Sequence, residues 1–327
     1  MGRIVTIDQV GGPDVLEVRE VEPPEPGIGE VRIRVQYIGV NRPDLLFRAG
    51  HYPVKPTLPG SRLGIEAAGV IESVGPEVTG FAVGDRVVAG PIVDQSSHGV
   101  YGDFAIVPAV ETVLAFDDVD ARLTVASWIP YLTAYSGMAS SGGLKAGDHV
   151  LITAASSSVG LAAIDVANHL GAVPLASTSS EAKAGRLLAA GARHVIVGRD
   201  GLADTVRSMT GGRGADLVFD ATGGRDFPAT AAAASDAGTV VRYGWFDDQP
   251  AILPTRWPMK IIGHINFTTT QDPARLTQVR NLIAAGLRSG AFTPHIDKEF
   301  TGLGQVAAAH AHAASGGQFG KILVAVE

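Results

Sequence analysis

The chain has 327 residues, of which 46% are hydrophobic, and it carries a formal net charge of −7 without a basic cluster. This length suits two domains rather than one compact core, and the charge argues against nucleic acid as a partner. The absence of cysteine excludes disulfides, thiolate metal ligands and cysteine nucleophiles.

Residues 1–122 predict a mostly β domain. Short strands alternate apolar and polar residues and are separated by Gly- and Pro-rich turns, and they lie near 15–18, 31–35, 67–74 and 86–89. Many short strands punctuated in this way indicate a partly closed barrel. Residues 91–101 match no motif, and we assign them to the substrate entrance.

The pattern becomes helical and alanine-rich near residues 123–140, and from His149 strands alternate with helices. The predicted strands are 149–154, 173–177, 194–197, 215–220, 239–243 and 261–265. The predicted helices lie near 158–170, 181–190, 201–210 and 226–236. Six strands with helical crossovers predict an α/β fold, a doubly wound parallel six-stranded sheet of the Rossmann type.

The last 60 residues predict a long helix over 273–289, a strand near Phe300, another helix, and a strand over 322–326. This tail is more similar to the first domain than to the second. We therefore predict one domain of residues 1–122 and 268–327 and a second domain of residues 123–267.

A turn of small residues, 154–160, joins the first strand of the predicted sheet to its helix. Small residues let an anion approach the helix N-terminus, where unpaired amides and the helix dipole favour negative charge. A strict G-x-G-x-x-G motif would place glycine at Ala155 and Ser157, and only Gly160 remains. The turn is either an ordinary βα connection or the binding site of a diphosphate, which would contact Ala155, Ser156, Ser157, Ser158, Val159 and Gly160.

Several ordered motifs extend this pattern over nearly the whole chain. They are the stretches 39–44 (GVNRPD), 64–71 (GIEAAGVI) with Val74-Gly75, 80–87 (GFAVGDRV), 144–148 (LKAGD) and the turn at 155–160. With them the chain resembles the zinc-free quinone oxidoreductase branch of the medium-chain dehydrogenase/reductase superfamily. The resemblance implies that residues 1–122 and 268–327 form a GroES-like catalytic domain. It also implies that residues 123–267 form a dinucleotide-binding domain for a nicotinamide coenzyme.

Zinc enzymes of this superfamily place a cysteine where this chain has Asn41 and a histidine where it has Ile65. An amide oxygen is a poor ligand for zinc and isoleucine is none, so we expect no metal. Glu66 is then a structural acid or one that lines the site. His310 and His312 lie two residues apart in a helical stretch, and we expect both at the surface.

Without a Lewis acid, charge that develops on oxygen must be met by hydrogen bonds alone, which favours a quinone or an α,β-unsaturated carbonyl as hydride acceptor. The resemblance to enoyl-thioester reductases, in which Asn-x-x-Asp precedes Gly-x-Tyr-Pro, places Asn41, Asp44 and Tyr52 beside the nicotinamide as catalytic residues. Alternatively, Tyr52 is a wall residue and Asp44 caps a helix that begins at Leu45.

The second predicted strand ends without the Asp or Glu that binds the ribose hydroxyls of NAD. Thr178, Ser179 and Lys183 instead suit a 2′-phosphate, which favours NADPH, although Lys183 is alternatively a solvated helix residue and Ser180 its cap. Other predicted cofactor-binding residues are Gly223 in the pair Gly223-Gly224, Tyr243, Gly244 and Thr133. Thr133 shares its segment with Tyr131, and burial alone would explain both equally well.

The leading hypothesis is an NADPH-dependent, zinc-independent reductase of a small-molecule quinone or enone. The alternatives are a tailoring enoyl reductase acting on a carrier-bound or natural-product intermediate, and a dinucleotide-binding protein with little catalysis.

Trp245, Phe246 and Trp257 are assigned to apolar walls of the acceptor site, or else to the core. The edge strand 261–265 predicts a homodimer. Because no run of about 18 apolar residues and no leader occur, we expect a cytoplasmic protein without a membrane partner.

Overall fold

The computed structural model describes residues 1–247, 249–255 and 259–327. It divides into two compact units, Met1–Ile129 with His295–Glu327, and Pro130–Pro294. These bounds differ from the predicted domain limits, because the helix Pro273–Ser289 belongs to the second unit. Within the described residues, no helix has the length and apolar character that crossing a bilayer requires.

The first unit is mostly β, as predicted. Its first strands are β1 (Gly2–Ile7), β2 (Glu17–Val21), β3 (Glu30–Val40), β4 (Ser61–Arg62), β5 (Ala67–Val74), β6 (Arg86–Ala89), β7 (Phe104–Pro108) and β8 (Thr112–Leu114). Its first helices are α1 (Arg42–Arg48), α2 (Gln95–His98) and the start of α3 (Ala121–Tyr135). The strand expected near 15–18 is shifted, because Pro13–Val15 form a 3₁₀ turn and β2 starts at Glu17.

The second unit contains the predicted parallel sheet. Its strands are β9 (His149–Ile152), β10 (Val173–Thr178), β11 (His194–Val197), β12 (Ala215–Asp220), β13 (Ala234–Arg242) and β14 (Lys260–Gly263). Its helices are α4 (Ser158–His169), α5 (Ala184–Ala189), α6 (Leu202–Met209), α7 (Phe227–Ala231), α8 (Phe267–Thr270) and α9 (Pro273–Ser289). The strand order β11-β10-β9-β12-β13-β14, with every pair parallel, confirms the doubly wound sheet.

One helix prediction in this unit is wrong. The alanine-rich stretch 226–236 does not form one long helix: α7 ends at Ala231, and β13 begins at Ala234. Ala234 pairs with Ala215 of β12, so pairing with a strand that is distant in sequence outweighs the local helix propensity of alanine.

The remaining elements complete the sheet of the first unit. They are β15 (Ile296–Thr301), α10 (Val306–Ala314) and β16 (Lys321–Ala325). In this seven-stranded sheet, β3 has three partner strands: it pairs antiparallel with β5, β7 and β16. The tail from His295 onward belongs to the first unit.

Candidate active site

The turn after β9 is tight and leads directly into α4. Ser157 is the N-cap of α4, and its Oγ accepts a hydrogen bond from the Gly160 amide at 3.1 Å. A Cβ at position 160 would lie 2.6 Å from the Ala154 oxygen and from Ala155 Cα, so only glycine fits the tight turn. The amides of Ser158 and Val159 precede the first intrahelical bond, from Leu161 to Ser157, so they have no acceptor within the helix.

The carboxyl end of β10 presents hydroxyl groups and one lysine. Lys183 Nζ donates to Ser156 Oγ at 3.2 Å, which directs the ammonium towards the 154–160 turn. Thr178 Oγ1 accepts from the Ser180 amide at 3.2 Å. Ser180 occupies the N-cap position of the 3₁₀ turn Glu181–Lys183 but makes no side-chain cap bond. Lys183 is therefore held beside the 154–160 turn, and its role in binding an anion stays a prediction.

The next strand, β12, ends in a buried carboxylate. Asp220 is fully buried, and its oxygens accept from the hydroxyls of Thr153 at 2.9 Å and Thr222 at 2.7 Å and from the Gly223 amide at 2.9 Å. These bonds fix the loop that carries Gly223, whose φ of +60° favours glycine.

The end of β13 contributes an aromatic surface and a close backbone approach. Tyr243 stacks on Phe219, with ring centroids 4.0 Å apart. Burial raises the pKa of the Tyr243 phenol far above its usual range, and the Asp220 charge adds to this rise. A Cβ at Gly244 would lie 2.9 Å from the Ala221 oxygen, so glycine lets the two loops lie side by side.

Thr133 belongs to a chain of hydrogen bonds that begins in the π-helical turn Ser136–Ser141. Asn266 Nδ2 donates to Thr133 Oγ1 at 2.9 Å, and His264 Nε2 lies 3.2 Å from Asn266 Oδ1. Because Ser136 Oγ donates to the Leu132 oxygen, it can only accept from His264 Nε2, which therefore carries the proton. Burial lowers the pKa of His264, and the ring stays neutral.

Tyr131, on the same helix, packs as a core residue. Its ring stacks on Phe292 with centroids 4.6 Å apart, and its hydroxyl donates to Asp165 Oδ2 at 2.6 Å. The packing interpretation therefore accounts for Tyr131, whereas Thr133 belongs to a polar network.

The first unit holds a buried ion pair that the sequence did not reveal. Lys321 Nζ donates to Glu66 Oε2 at 2.5 Å and to Asn41 Oδ1 at 2.6 Å. The Asn41 amide nitrogen donates to the same Glu66 oxygen at 3.0 Å and to the Gly39 oxygen at 2.9 Å. The other Glu66 oxygen accepts from the Ile129 amide at 2.8 Å. Lys321 and Glu66 have side-chain exposures of 1% and 0%, so Glu66 is the structural acid of the two predicted alternatives.

These residues do not fit a zinc ion. The amide of Asn41 is committed to an ammonium group, a carboxylate and a backbone oxygen, and Ile65 offers no donor atom. Across residues 1–247, 249–255 and 259–327, no group of three or more His, Asp or Glu side chains is placed to hold a metal ion.

Asp44 is a buried acid within α1 rather than its cap. Helix α1 begins at Arg42 with Asn41 as N-cap, and Asp44 is the third helical residue of a capping box. Its carboxylate accepts from the amides of Asn41 at 2.7 Å and Ile65 at 3.0 Å and from the Tyr101 hydroxyl at 3.1 Å. Burial raises the pKa of Asp44 to about 7, and the three donors oppose that rise. The predicted cap of a helix starting at Leu45 is therefore wrong.

His310 is not at the surface, which corrects the prediction. Its side chain is fully buried, with Nδ1 3.0 Å from Arg48 Nη1 and Nε2 3.0 Å from the Tyr101 hydroxyl. Since a guanidinium group only donates, Nδ1 accepts, and the proton on Nε2 points to Tyr101, whose own proton goes to Asp44. Burial lowers the pKa of His310 to about 3, and the Arg48 charge adds to this effect. His312 is also only partly exposed, and it lies 2.7 Å from Asp297 Oδ2.

Tyr52 lies just beyond α1, and its amide donates to the Leu46 oxygen at 3.1 Å. Burial raises the pKa of its phenol, and the charge of Asp44 raises it further. The phenol therefore stays protonated at neutral pH and can donate a hydrogen bond.

The remaining candidate residues are less informative. Part of the 91–101 segment forms α2, and Ile92, Val100 and Tyr101 are buried, so most of its apolar residues belong to the core. Phe246 is 38% exposed and Trp245 is partly buried. Trp257 lies outside the described residues.

The comparisons with known proteins agree with this architecture. Residues 27–117 match the family model "Alcohol dehydrogenase GroES-like domain", which confirms the predicted GroES-like domain, and residues 158–283 match "Zinc-binding dehydrogenase". The human quinone oxidoreductase is 30% identical over 98% of this chain and 97% of its own length.

Two solved structures are similar over almost the whole chain. The quinone oxidoreductase of Pseudomonas syringae pv. Tomato DC3000 has a TM-score of 0.91 at 28% identity and covers 99% of this chain and 100% of its own. The mycobacterial protein Rv1454c complexed with NADPH has a TM-score of 0.89 at 27% identity with the same coverage. The chain therefore belongs to the quinone oxidoreductase branch of the medium-chain dehydrogenase/reductase superfamily and is an oxidoreductase.

Proposed function

We propose that this chain is an NADPH-dependent, zinc-independent oxidoreductase that reduces a quinone or an α,β-unsaturated carbonyl by hydride transfer. The observation that carries the proposal is the end of β10, where Lys183 lies against Ser156 of the anion-binding turn and hydroxyl groups stand where an NAD enzyme has an acid. The NADPH complex of the mycobacterial relative supports the same coenzyme.

The second unit would hold the coenzyme. The tight turn at Gly160 fits a diphosphate, because its missing Cβ leaves the backbone open beside the N-terminus of α4. Lys183 and the hydroxyls of Thr178 and Ser179 would bind the 2′-phosphate. The other contacts are assigned to Ala155, Ser156, Ser157, Ser158, Val159, Thr133, Gly223, Tyr243 and Gly244.

The first unit would act on the acceptor. The coenzyme supplies the hydride when bound, and Tyr52, whose phenol stays protonated, donates a hydrogen bond or a proton to the acceptor oxygen. Both amide protons of Asn41 are engaged and its carbonyl oxygen accepts from Lys321, so Asn41 offers a ligand only the second lone pair of that oxygen. Asp44 is fully buried, so it serves as a positioning residue that fixes Asn41 and α1.

The part of the chain that the structure describes offers no set of zinc ligands, which favours a conjugated acceptor. Hydrogen bonds must stabilise the charge that develops on the acceptor oxygen, and conjugation spreads that charge over several atoms. A quinone or an enone is therefore favoured over a plain ketone.

The test is to follow NADPH and NADH oxidation with a panel of quinones, enones and enoyl thioesters, before and after dialysis against a chelator. We expect NADPH turnover that the chelator does not change. Lys183→Met should weaken NADPH about 10-fold to 100-fold and leave NADH nearly unchanged, because a charged hydrogen bond contributes about 1.5–3 kcal/mol. Turnover confined to carrier-bound thioesters would favour a tailoring enoyl reductase. Stabilisation by NADPH without turnover would favour a binding protein, and loss of turnover on chelation would refute zinc independence.

The edge of the parallel sheet supports a proposed homodimer. Among the described residues, β14 pairs with β13 alone, and Ile261 and Ile265 are 39% and 51% exposed. A strand edge of this kind pairs readily across a two-fold axis. Light scattering at micromolar concentration should give twice the chain mass, and a monomer would contradict the proposal. A cytoplasmic location stays a prediction.

A further inference from the structure

The last residue of β13, Arg242, places a cation at the carboxyl edge of the parallel sheet. Its backbone is fixed in the sheet, since Arg242 pairs with Asp220 and its oxygen accepts from the His264 amide at 2.8 Å. Its side chain lies against Gly223: a Cβ there would be 2.8 Å from both Nε and Nη2 of the arginine. Glycine at position 223 thus leaves room for the guanidinium group.

This guanidinium has an unsatisfied donor among the described residues. Its Nε is buried without a hydrogen-bond partner in the part of the chain that the structure describes. The acids of the neighbouring loops are engaged elsewhere: Asp220 by hydroxyls and an amide, Asp226 by Arg199, and Asp247 by Arg225. A buried donor without an acceptor is costly unless a ligand supplies one.

The turn after β9 has no cationic side chain of its own, and Arg242 would supply one. Residues 153–160 contain no lysine or arginine, and Lys183 is assigned to the 2′-phosphate. A diphosphate carries two negative charges, and a helix N-terminus supplies only about half an elementary charge. β12 lies between β9 and β13 in the sheet, so the loops that follow these three strands are neighbours at its carboxyl edge.

We propose that Arg242 binds the diphosphate of the coenzyme as its neutralising cation. The inference rests on the proposed function, because it takes the dinucleotide site at 154–160 as given. A planar guanidinium with two parallel donors suits phosphate oxygens, and a lysine at this position would match them less well.

The experiment is isothermal titration of the full chain with four ligands: NADPH, NADH, ADP-ribose and adenosine 2′-monophosphate. ADP-ribose keeps the diphosphate without the 2′-phosphate, and adenosine 2′-monophosphate keeps only the latter. Arg242→Met should weaken NADPH, NADH and ADP-ribose by a common factor of about 10 to 100 and leave adenosine 2′-monophosphate unchanged. Arg242→Lys should fall between the two.

Arg225→Met is the matched control, since it removes an equal charge from the adjacent loop, where the guanidinium is 80% exposed and already paired with Asp247. Its ligand affinities should stay those of the parent protein. Far-UV circular dichroism and melting without ligand show that each variant is folded. If the parent binds NADPH but Arg242→Met binds ADP-ribose equally well, this inference is refuted and the proposed function stands. An equal loss for adenosine 2′-monophosphate would also refute it, since Arg242 would then bind the other phosphate. If the parent binds neither NADPH nor NADH, the proposed function and this inference both fail.

Discussion

Replacing Lys321 by methionine tests whether the buried ion pair stabilises the first unit. The substitution keeps the apolar stem of the side chain but removes the ammonium group that donates to Glu66 at 2.5 Å and to Asn41 at 2.6 Å. Glu66 is fully buried and would retain only the donors on Asn41 and Ile129. Breaking a buried pair by removing one partner costs about 3–5 kcal/mol, because the other charge stays buried without compensation.

A double-mutant cycle separates the pair from the packing of the side chains. Glu66→Gln alone leaves the ammonium group unpaired, whereas Lys321→Met with Glu66→Gln removes both charges. The double variant should therefore be less destabilised than the sum of the single variants, by about 2–3 kcal/mol.

The assay is urea unfolding at pH 7.5, followed by tryptophan fluorescence and far-UV circular dichroism. The control is Arg122→Met, which breaks the ion pair between Arg122 and Glu299. This pair has a similar length, 2.6 Å, but its side chains are 40% (Arg122) and 30% (Glu299) exposed. That loss should stay below about 1 kcal/mol. If Lys321→Met and Arg122→Met lose equal stability, the argument from burial is wrong. It is also wrong if the losses of Lys321→Met and Glu66→Gln add up to the loss of the double variant.

Three further predictions concern the buried histidine, the tight turn and the phenol. Burial holds the pKa of His310 at about 3, below its unfolded value of about 6.5, so the unfolded chain binds a proton that the folded chain does not. The free energy of unfolding of the parent, taken relative to that of His310→Gln, should therefore be constant above pH 6.5 and fall by up to about 1.4 kcal/mol per pH unit below it. Urea midpoints between pH 7.5 and 4.5 measure this difference. A difference independent of pH would contradict a buried neutral ring. Gly160→Ala should weaken binding of NADPH and lower the melting temperature, because the added Cβ would meet backbone atoms at 2.6 Å, whereas Gly185→Ala, whose Cβ meets nothing within 4 Å, should not; equal melting of the two variants would argue against a tight turn. Tyr52→Phe should lower kcat about 10²-fold to 10⁴-fold, as expected for loss of a general acid, while the affinity for NADPH measured by titration stays constant; unchanged kcat would leave Tyr52 a wall residue.

The elements of the parallel sheet were predictable because their signals are local. The apolar run of Val150 to Ile152 and the small-residue turn after it are complete within about ten residues of sequence. Helix α9 was predicted with its observed bounds, since Pro273 stands at its first position and Gly290 ends it in the left-handed conformation. Such start and stop signals require no knowledge of tertiary contacts.

The errors arise where distant residues decide the outcome. Lys321 stands at the start of an apolar strand and resembles an exposed flanking charge, and its partner Glu66 lies 255 positions earlier. His310 was misjudged by its spacing from His312, although Val306, four residues before it, faces the core and marks the buried side of α10. The spacing to Val306 was a signal that the sequence contained. The pairing with Arg48, 262 positions away, was not.

The order of strands in the first unit has a consequence for biosynthesis. Residues 37–40, at the end of β3, pair with β16. In addition, the ammonium group of Lys321 binds Asn41, which lies 280 positions earlier in the sequence. The second unit, by contrast, is one uninterrupted stretch from Pro130 to Pro294. A nascent chain can thus close the parallel sheet while β3 still exposes an unsatisfied edge, a hydrogen-bonding template for aggregation. A chain that ends after residue 294 would contain every strand of the parallel sheet but would lack β15 and β16, two of the seven strands of the other sheet.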